Sequence, residues 1–330
     1  MEFRTIVSIK KLPYSITHEQ KIMMLGSCFA ENIGKYMQQY KFNIDLNPFG
    51  ILYNPASIAH SLYMLLQNKT FAEFDLFREG QLWHSFSHHS RFSHIDLHTC
   101  LNEINTRLAQ GAIILKNADW LIITWGTAWV YRLTETGEIV SNCHKLPEKY
   151  FIRQRLCPNE ITDMWIPLIS ELLQENPRLK ILMTVSPVRH FRDGAHANQL
   201  SKSTLLLATE LLCCTFPDNC FYFPSYEIVM DELRDYRFYD SDMVHPSEQA
   251  VEYIWEQFSL SCFSEKTRQE NAEWGKIFKS LNHKPLTSDL NAYKDFVMQN
   301  LFKLKKFHQK YPYFDLSNEL KSLECLLKTL

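Results

Sequence analysis

Apolar residues along the chain follow two rhythms. Short, nearly unbroken runs occur at IMML (22–25), DWLIITW (119–125), KILMTVSP (180–187) and CFYFPSYEI (220–228), a length and character that suit strands buried on both faces. Between them, residues 28–40, 55–67, 98–117, 159–175, 198–215 and 247–261 carry apolar positions at helical spacing among good helix formers. This alternation predicts a three-layer α/β/α domain around a doubly wound, mainly parallel sheet. In such a sheet the chemistry belongs to the loops beyond the carboxyl ends of the strands. The segment AWVYRLTETGEIVSN (128–142) breaks the alternation, because two β-rich runs flank Glu135-Thr136-Gly137; it predicts an inserted hairpin at the mouth of the sheet. Further on, EKTRQENAEWGKIFKS, LNAYKDFVMQNLFKLKKF and LSNELKSLECLLKTL each read as an amphipathic helix, joined by Pro-containing loops into a helical tail or cap. The expected organisation is one domain over 1–262 and a helical extension over 263–330.

Composition narrows the function without naming it. With 35 Lys+Arg against 37 Asp+Glu, the formal charge of -2 supplies no basic surface for nucleic acid or an anionic membrane. Nine cysteines, an odd number without CxxC pairs, several beside apolar residues, read as free thiols in a reducing compartment. No apolar run approaches the ~18 residues of a membrane span, and the amino terminus lacks the pattern of a secretory signal. The expectation is a cytoplasmic protein that binds a small molecule and needs no cofactor. Its oligomeric state is open.

Two short strings carry chemistry. Leu25-Gly26-Ser27-Cys28 places a serine after the first predicted strand, where a helix begins. The glycine permits a sharp turn, and the helix start offers free N–H groups and a positive dipole end to an oxyanion. The plainer role is an N-cap, which serine commonly fills. Asp242-Met243-Val244-His245 puts a carboxylate three residues before a histidine, in the loop after the last predicted strand. An Asp so placed can hold one imidazole nitrogen as a donor while the other accepts a hydroxyl proton; a surface-loop pair is the ordinary alternative. Position favours the chemical reading, since both strings fall at strand ends.

The string GSCFAENIG (26–34) resembles the signature of the GSCFA family, a branch of the SGNH/GDSL hydrolase-like proteins. NPFGILYNP (47–55), TWGTAWVY (124–131), SNCHKLP (141–147), TVSPVRH (184–190) and YFPSYEIVMDELRDYRFYDSDMVHPS (222–247) look similar to the same family. The resemblance implies an SGNH-hydrolase-like, flavodoxin-like fold and a Ser-His-Asp triad of Ser27, His245 and Asp242. It implies an oxyanion hole from the N–H groups of Ser27 and Gly50. Where SGNH enzymes carry an asparagine in their G-x-N-D block, this chain has Ala128, so Thr127 or Asn142 is the expected substitute donor. The function implied is an esterase or deacylase acting on a small acyl ester, such as an O-acetylated carbohydrate. With a sugar hydroxyl in place of water the same site is an O-acyltransferase, and without a third donor it is a non-catalytic module that retains the pocket.

Other residues extend or compete with this reading. His89 (in WHSFSHHSRFS), His144 and Arg189 are candidate substrate contacts. Arg189 suits an anionic or hydroxyl-rich group, or else pairs with Asp193. The histidines at 84, 88, 89, 94 and 98 raise the possibility of zinc, but no H-E-x-x-H or cysteine pair completes a ligand set, and no metal is expected. Cys28 stands at a helix start, where thiolates are favoured, yet its side chain is expected to turn into the core. Cys143 has no third group to orient His144.

Overall fold

The computed structural model describes residues 4–283 and 290–329. Its centre is a five-stranded sheet formed by β1 (Lys21–Gly26), β2 (Asn43–Leu46), β5 (Trp120–Trp125), β9 (Lys180–Val185) and β10 (Cys220–Tyr222). The spatial order is β10-β9-β5-β1-β2, and every neighbouring pair is parallel. Numbered along the chain within this sheet the order is 2-1-3-4-5, the flavodoxin-like arrangement, whose switch point lies between the first and third strands. The mouth between β1 and β5 is therefore where a ligand crevice is expected, and Ser27 stands there.

Side-chain alternation along the strands assigns the two faces. Met23, Leu25, Leu121, Ile123, Ile181 and Met183 point into one core, with α2 (Pro55–Leu66), α3 (Leu97–Lys116), α4 (Pro158–Glu175) and α5 (Gly194–Thr215). Ile22, Met24, Trp120, Ile122 and Leu182 point into the other, against α1 (Cys28–Gln39) and the helix Glu248–Cys262. Both faces are covered, which is why the strands read as continuous apolar runs rather than alternating ones.

The remaining strands build the rim. β3 (Phe77–Glu79) and β4 (Leu82–His84) form a small hairpin. β6 (Trp129–Leu133) pairs antiparallel with β7 (Ile139–Val140) and with β8 (Phe151–Arg155). The predicted hairpin is thus two-thirds of a three-stranded sheet whose third strand was not apparent from the sequence. The run CFYFPSYEI is a strand only to Tyr222; from Ser225 to Glu232 the chain winds helically. Pro224 ends the ladder because it has no N–H to donate, and Ser225 Oγ turns back to the carbonyl of Val185 at 2.7 Å.

The helices Glu265–Asn282, Leu290–Lys310 and Ser317–Thr329 enclose a separate small core of Trp274, Leu304, Phe307, Phe314 and Leu316. The Pro-containing connection expected at 284–289 lies outside the described residues. This group seats on the amino-end side of the sheet. Trp274 Nε1 donates to the carbonyl of Gln39 at 2.7 Å. Buried His18, just before β1, bonds Glu270 and Asn271, both at 3.0 Å. Of the two alternatives, tail or cap, the contacts favour the tail: these anchors lie at the last turn of α1 and ahead of β1, opposite the strand ends where Ser27 stands.

Gly26 fixes the approach of β1 to β5. Its φ is +150°, and a Cβ built on it would lie 2.4 Å from the carbonyl oxygen of Thr124. Gly26→Ala is expected to destabilise the protein by at least about 2 kcal/mol through backbone strain and overpacking. Equilibrium urea unfolding at neutral pH measures it, and an unchanged midpoint would show that β1 can shift away from β5.

Candidate active site

A cavity of about 680 Å³ opens at the carboxyl end of the sheet, within the size range of small-molecule sites. Its walls come from the start of α1 (Cys28), the loop before α2 (Ile51, Tyr53), the rim sheet (Thr127, Trp129, Asn142), the loop after β9 (Arg189, His190) and the turn bearing His245. Cys28 therefore borders the cleft as well as packing against the core, where only the core contact was expected. Burial pushes its thiol above the ordinary range, so at neutral pH it is not a thiolate nucleophile.

Ser27 occupies the helix boundary, with φ -69° and ψ 178°, but its side chain makes no capping bond. Its N–H donates to the Thr124 carbonyl over a long 3.3 Å. Its Oγ is buried and has no hydrogen-bond partner among the described residues, a condition that costs about 1 to 3 kcal/mol for a buried hydroxyl. The N-cap explanation thus leaves the serine's hydroxyl unaccounted for. Gly126 lies beside it: a Cβ there would stand 3.3 Å from Ser27 Cβ and 3.1 Å from the Tyr53 carbonyl.

Asp242 and His245 meet as a pair. Asp242 Oδ2 lies 2.6 Å from His245 Nδ1, and its Oδ1 accepts the N–H groups of Val244 and His245, each at 2.9 Å. These bonds, led by the His245 N–H, hold the carboxyl down at about 2. The carboxylate keeps a proton on Nδ1, leaving Nε2 as the acceptor. Both side chains are about half exposed, 46% for His245 and 49% for Asp242. His245 and Cys28 line the same cavity. No hydrogen bond joins Ser27 to His245 among the described residues.

The other expected residues fall in different places. The N–H of Gly50 closes a turn onto the Asn47 carbonyl at 2.8 Å, and Gly50 does not line the cavity. Thr127 lines it, but its N–H goes to the Tyr53 carbonyl at 3.0 Å and its Oγ1 to Ser201 at 3.1 Å. The N–H of Ala128 is also taken, by Ser201 Oγ at 2.8 Å. Asn142 lines the cavity, with its Oδ1 engaged by the His144 N–H. His89 and Arg189 line it too. His144 does not: its Nε2 lies 2.8 Å from the Ser85 carbonyl, and its ring packs against His84. Asp193 pairs with Arg153 instead of Arg189. His88 is core, stacked on Phe49 and pushed down to about 3 by burial. Among the described residues no three His, Cys, Asp or Glu side chains converge as metal ligands.

Two residues, Asn47 and Lys202, had escaped notice, and His190 figured only as the end of TVSPVRH beside Arg189. Asn47, at φ +48°, accepts the Gly26 N–H with Oδ1 and donates from Nδ2 to Glu31, both at 2.9 Å. It ties the serine's turn to α1, and NPFG was its only trace in the sequence. Wholly buried Lys202 donates to the carbonyls of Gly126 at 2.6 Å and Ser186 at 2.7 Å, clamping the ends of β5 and β9. Burial brings it down to about 7. Its signal was phase, since it shares the inward face of α5 with Asn198, Leu205 and Leu212. His190 lines the cavity with Nε2 buried and unpartnered among the described residues. Burial, aided by nearby Lys202 and His245, brings it down to about 4, so the ring is neutral at neutral pH.

The sequence matches the GSCFA family over residues 21–258. The chain belongs to that family. The GSCFA C-terminal domain matches residues 274–329, which covers most of the three terminal helices. A comparison with curated proteins finds no match. Among solved structures, a family 3 carbohydrate esterase of Clostridium thermocellum aligns over 73% of this GSCFA chain and 95% of its own, at 12% identity and a TM-score of 0.33.

Three histidines of this GSCFA protein, His88, His144 and His190, sit well below the usual imidazole value, at about 3, 4 and 4, chiefly through burial. Between about pH 6.5 and 4 the unfolded chain binds protons at these positions that the folded chain refuses, so stability rises with pH across that window. Urea midpoints are expected to fall steadily from pH 6.5 to 4.5, and His88→Gln is expected to flatten that slope. A pH-independent midpoint would mean that the three rings protonate in place.

Proposed function

We propose that this GSCFA protein is a serine-dependent esterase or deacylase acting on a small acyl ester, with an O-acetylated carbohydrate as the favoured substrate type. The observation that carries the reading is the Asp242–His245 pair, whose histidine lines the same cavity as Cys28 at the start of α1, next to Ser27 with its unpartnered hydroxyl. A buried hydroxyl left without a partner, at the helix start that borders the histidine's cavity, suits a nucleophile whose hydrogen bond forms when substrate arrives.

In this reading Ser27 Oγ attacks the acyl carbonyl while its proton passes to His245 Nε2. The tetrahedral intermediate collapses, the bond to the alkoxy oxygen breaks, and that oxygen leaves with the proton from His245. Water then gives a proton to His245 and attacks the acyl-serine; Ser27 departs, regains the proton, and the carboxylic acid is released. The oxyanion is stabilised by the positive end of α1 and the weakly engaged Ser27 N–H, with the Asn142 amide as the side-chain donor. Gly50 and Thr127 are less suited, because their N–H groups are already used. Aromatic walls at Tyr53, Trp129, Tyr131 and Phe191 suit the apolar faces of a sugar ring. Residues 1–262 then form the catalytic domain, and the helices from 263 onward support it from behind.

The enclosure of Ser27, which is 1% exposed and does not itself line the cavity, favours a second reading: a non-catalytic module that keeps the pocket. A serine-directed fluorophosphonate distinguishes the two. A single adduct on the Ser27 peptide, absent in Ser27→Ala, supports the esterase. Ser27→Ala and His245→Ala are then expected to lower turnover of an activated acetyl ester about 10³-fold or more. No adduct on folded protein, with equal background rates in all three proteins, supports the module.

A further inference from the structure

The cleft carries a charge imbalance that ester chemistry does not require. Its lining includes three arginines and three histidines, and no aspartate or glutamate. This contrasts with a chain whose formal charge is -2. Two of the arginines are neutralised from outside the lining: Arg153 by Asp193 and Arg192 by Glu148. Arg189 has no carboxylate within 4 Å among the described residues. Its guanidinium donates to the thioether of Met230 at 2.9 Å, and sulfur is a weak acceptor. The side chain is half-buried, so water only partly replaces the missing anion. Behind it lies Lys202, fully enclosed and bonded to neutral carbonyls.

Removing part of a cation's hydration without supplying a counter-charge is unfavourable. A fold keeps such a group where a ligand completes it. A guanidinium presents parallel N–H donors that match a carboxylate in two bonds, and a concave wall of one sign concentrates anions. We infer that Arg189 is a specificity-determining residue and that the substrate is an anionic acyl ester, with a carboxylate on its alcohol side, as in an O-acetylated uronic acid. The inference rests on the esterase reading for the ester but not for the anion. Arg189 is adjacent to His190 and on the same cavity wall, so the carboxylate sits on one side of the ring while the ester faces the Ser27–His245 side. The reaction is unchanged: the carboxylate is bound and not transformed.

The test compares two matched substrates, a monoacetylated methyl glucuronoside and the corresponding monoacetylated methyl glucoside, with calorimetric binding of the two unacetylated glycosides alongside. The expected result is a kcat/KM ratio of about 10- to 100-fold in favour of the uronoside, the size of charge-assisted hydrogen bonding. The ratio should shrink at high salt, fall to near one in Arg189→Gln and be intermediate in Arg189→Lys. The glycosides should show the same order of binding. Ser27-dependent turnover of both esters at equal efficiency overturns the inference and leaves the esterase reading standing, as does a uronoside preference that survives in folded Arg189→Gln. Absence of Ser27-dependent turnover removes the esterase reading instead. Calorimetry then decides alone: selective uronoside binding lost in Arg189→Gln upholds the anion site, and equal binding at millimolar concentration overturns it.

Discussion

The close approach of β1 to β5 at the Gly26-Ser27 turn is the constraint on which the rest of the molecule depends. No side chain fits between Gly26 and the Thr124 carbonyl, and the space at Gly126 is tight on the Ser27 side, where a Cβ would lie 3.3 Å from Ser27 Cβ. With the strands this close, Ser27 follows directly at the carboxyl end of β1, at the topological switch point, with its hydroxyl buried. Asn47 then satisfies the Gly26 N–H and reaches across to Glu31 on α1. The loop from β2 returns so that Leu52 N–H bonds the Gly26 carbonyl at 3.0 Å, and the Tyr53 carbonyl accepts two N–H groups from the end of β5. The cleft floor is therefore backbone pinned by backbone, with few side chains free to vary.

Lys202 performs the matching task on the other flank. Strand ends at the carboxyl edge of a parallel sheet leave carbonyls without ladder partners, and buried carbonyls need donors. A single side chain rising from α5 supplies two of them, from β5 and from the loop after β9. Because its two acceptors are uncharged, its positive character is not cancelled locally. The position of Arg189 beyond it extends that character to the cleft surface.

The helices after Ser264 act at a distance from the chemistry. Their contacts with Gln39, His18 and Lys41 concern the far end of α1. The start of that same helix bears Cys28 and follows Ser27. The terminal helices thus meet α1 at the end opposite to Ser27 and Cys28.

Period and punctuation in the chain determined most of the framework. Runs such as WLIITW and KILMTV have one physical solution, a strand covered on both faces, and the helical stretches between them leave little choice but a doubly wound sheet. Ser27 and the Asp242–His245 pair could be singled out because turn residues mark strand ends; the fold puts Ser27 directly after β1 and joins Asp242 to His245. What the sequence could not decide was pairing between remote polar groups. Whether Gly50's N–H pointed to the cleft or to Asn47, whether Asp193 chose Arg153 or Arg189, and whether Cys28 reached the cleft as well as the core each depended on the packing of distant elements. The strand β8 and the short end of β10 were equally hidden, the first because its register is set by β6, the second because the helical turn after Pro224 is fixed by a bond to Val185. Local propensity is written along the chain; the partner a polar atom finds is written only in the fold, because hydrogen bonds are short and the segments that make them are far apart in sequence.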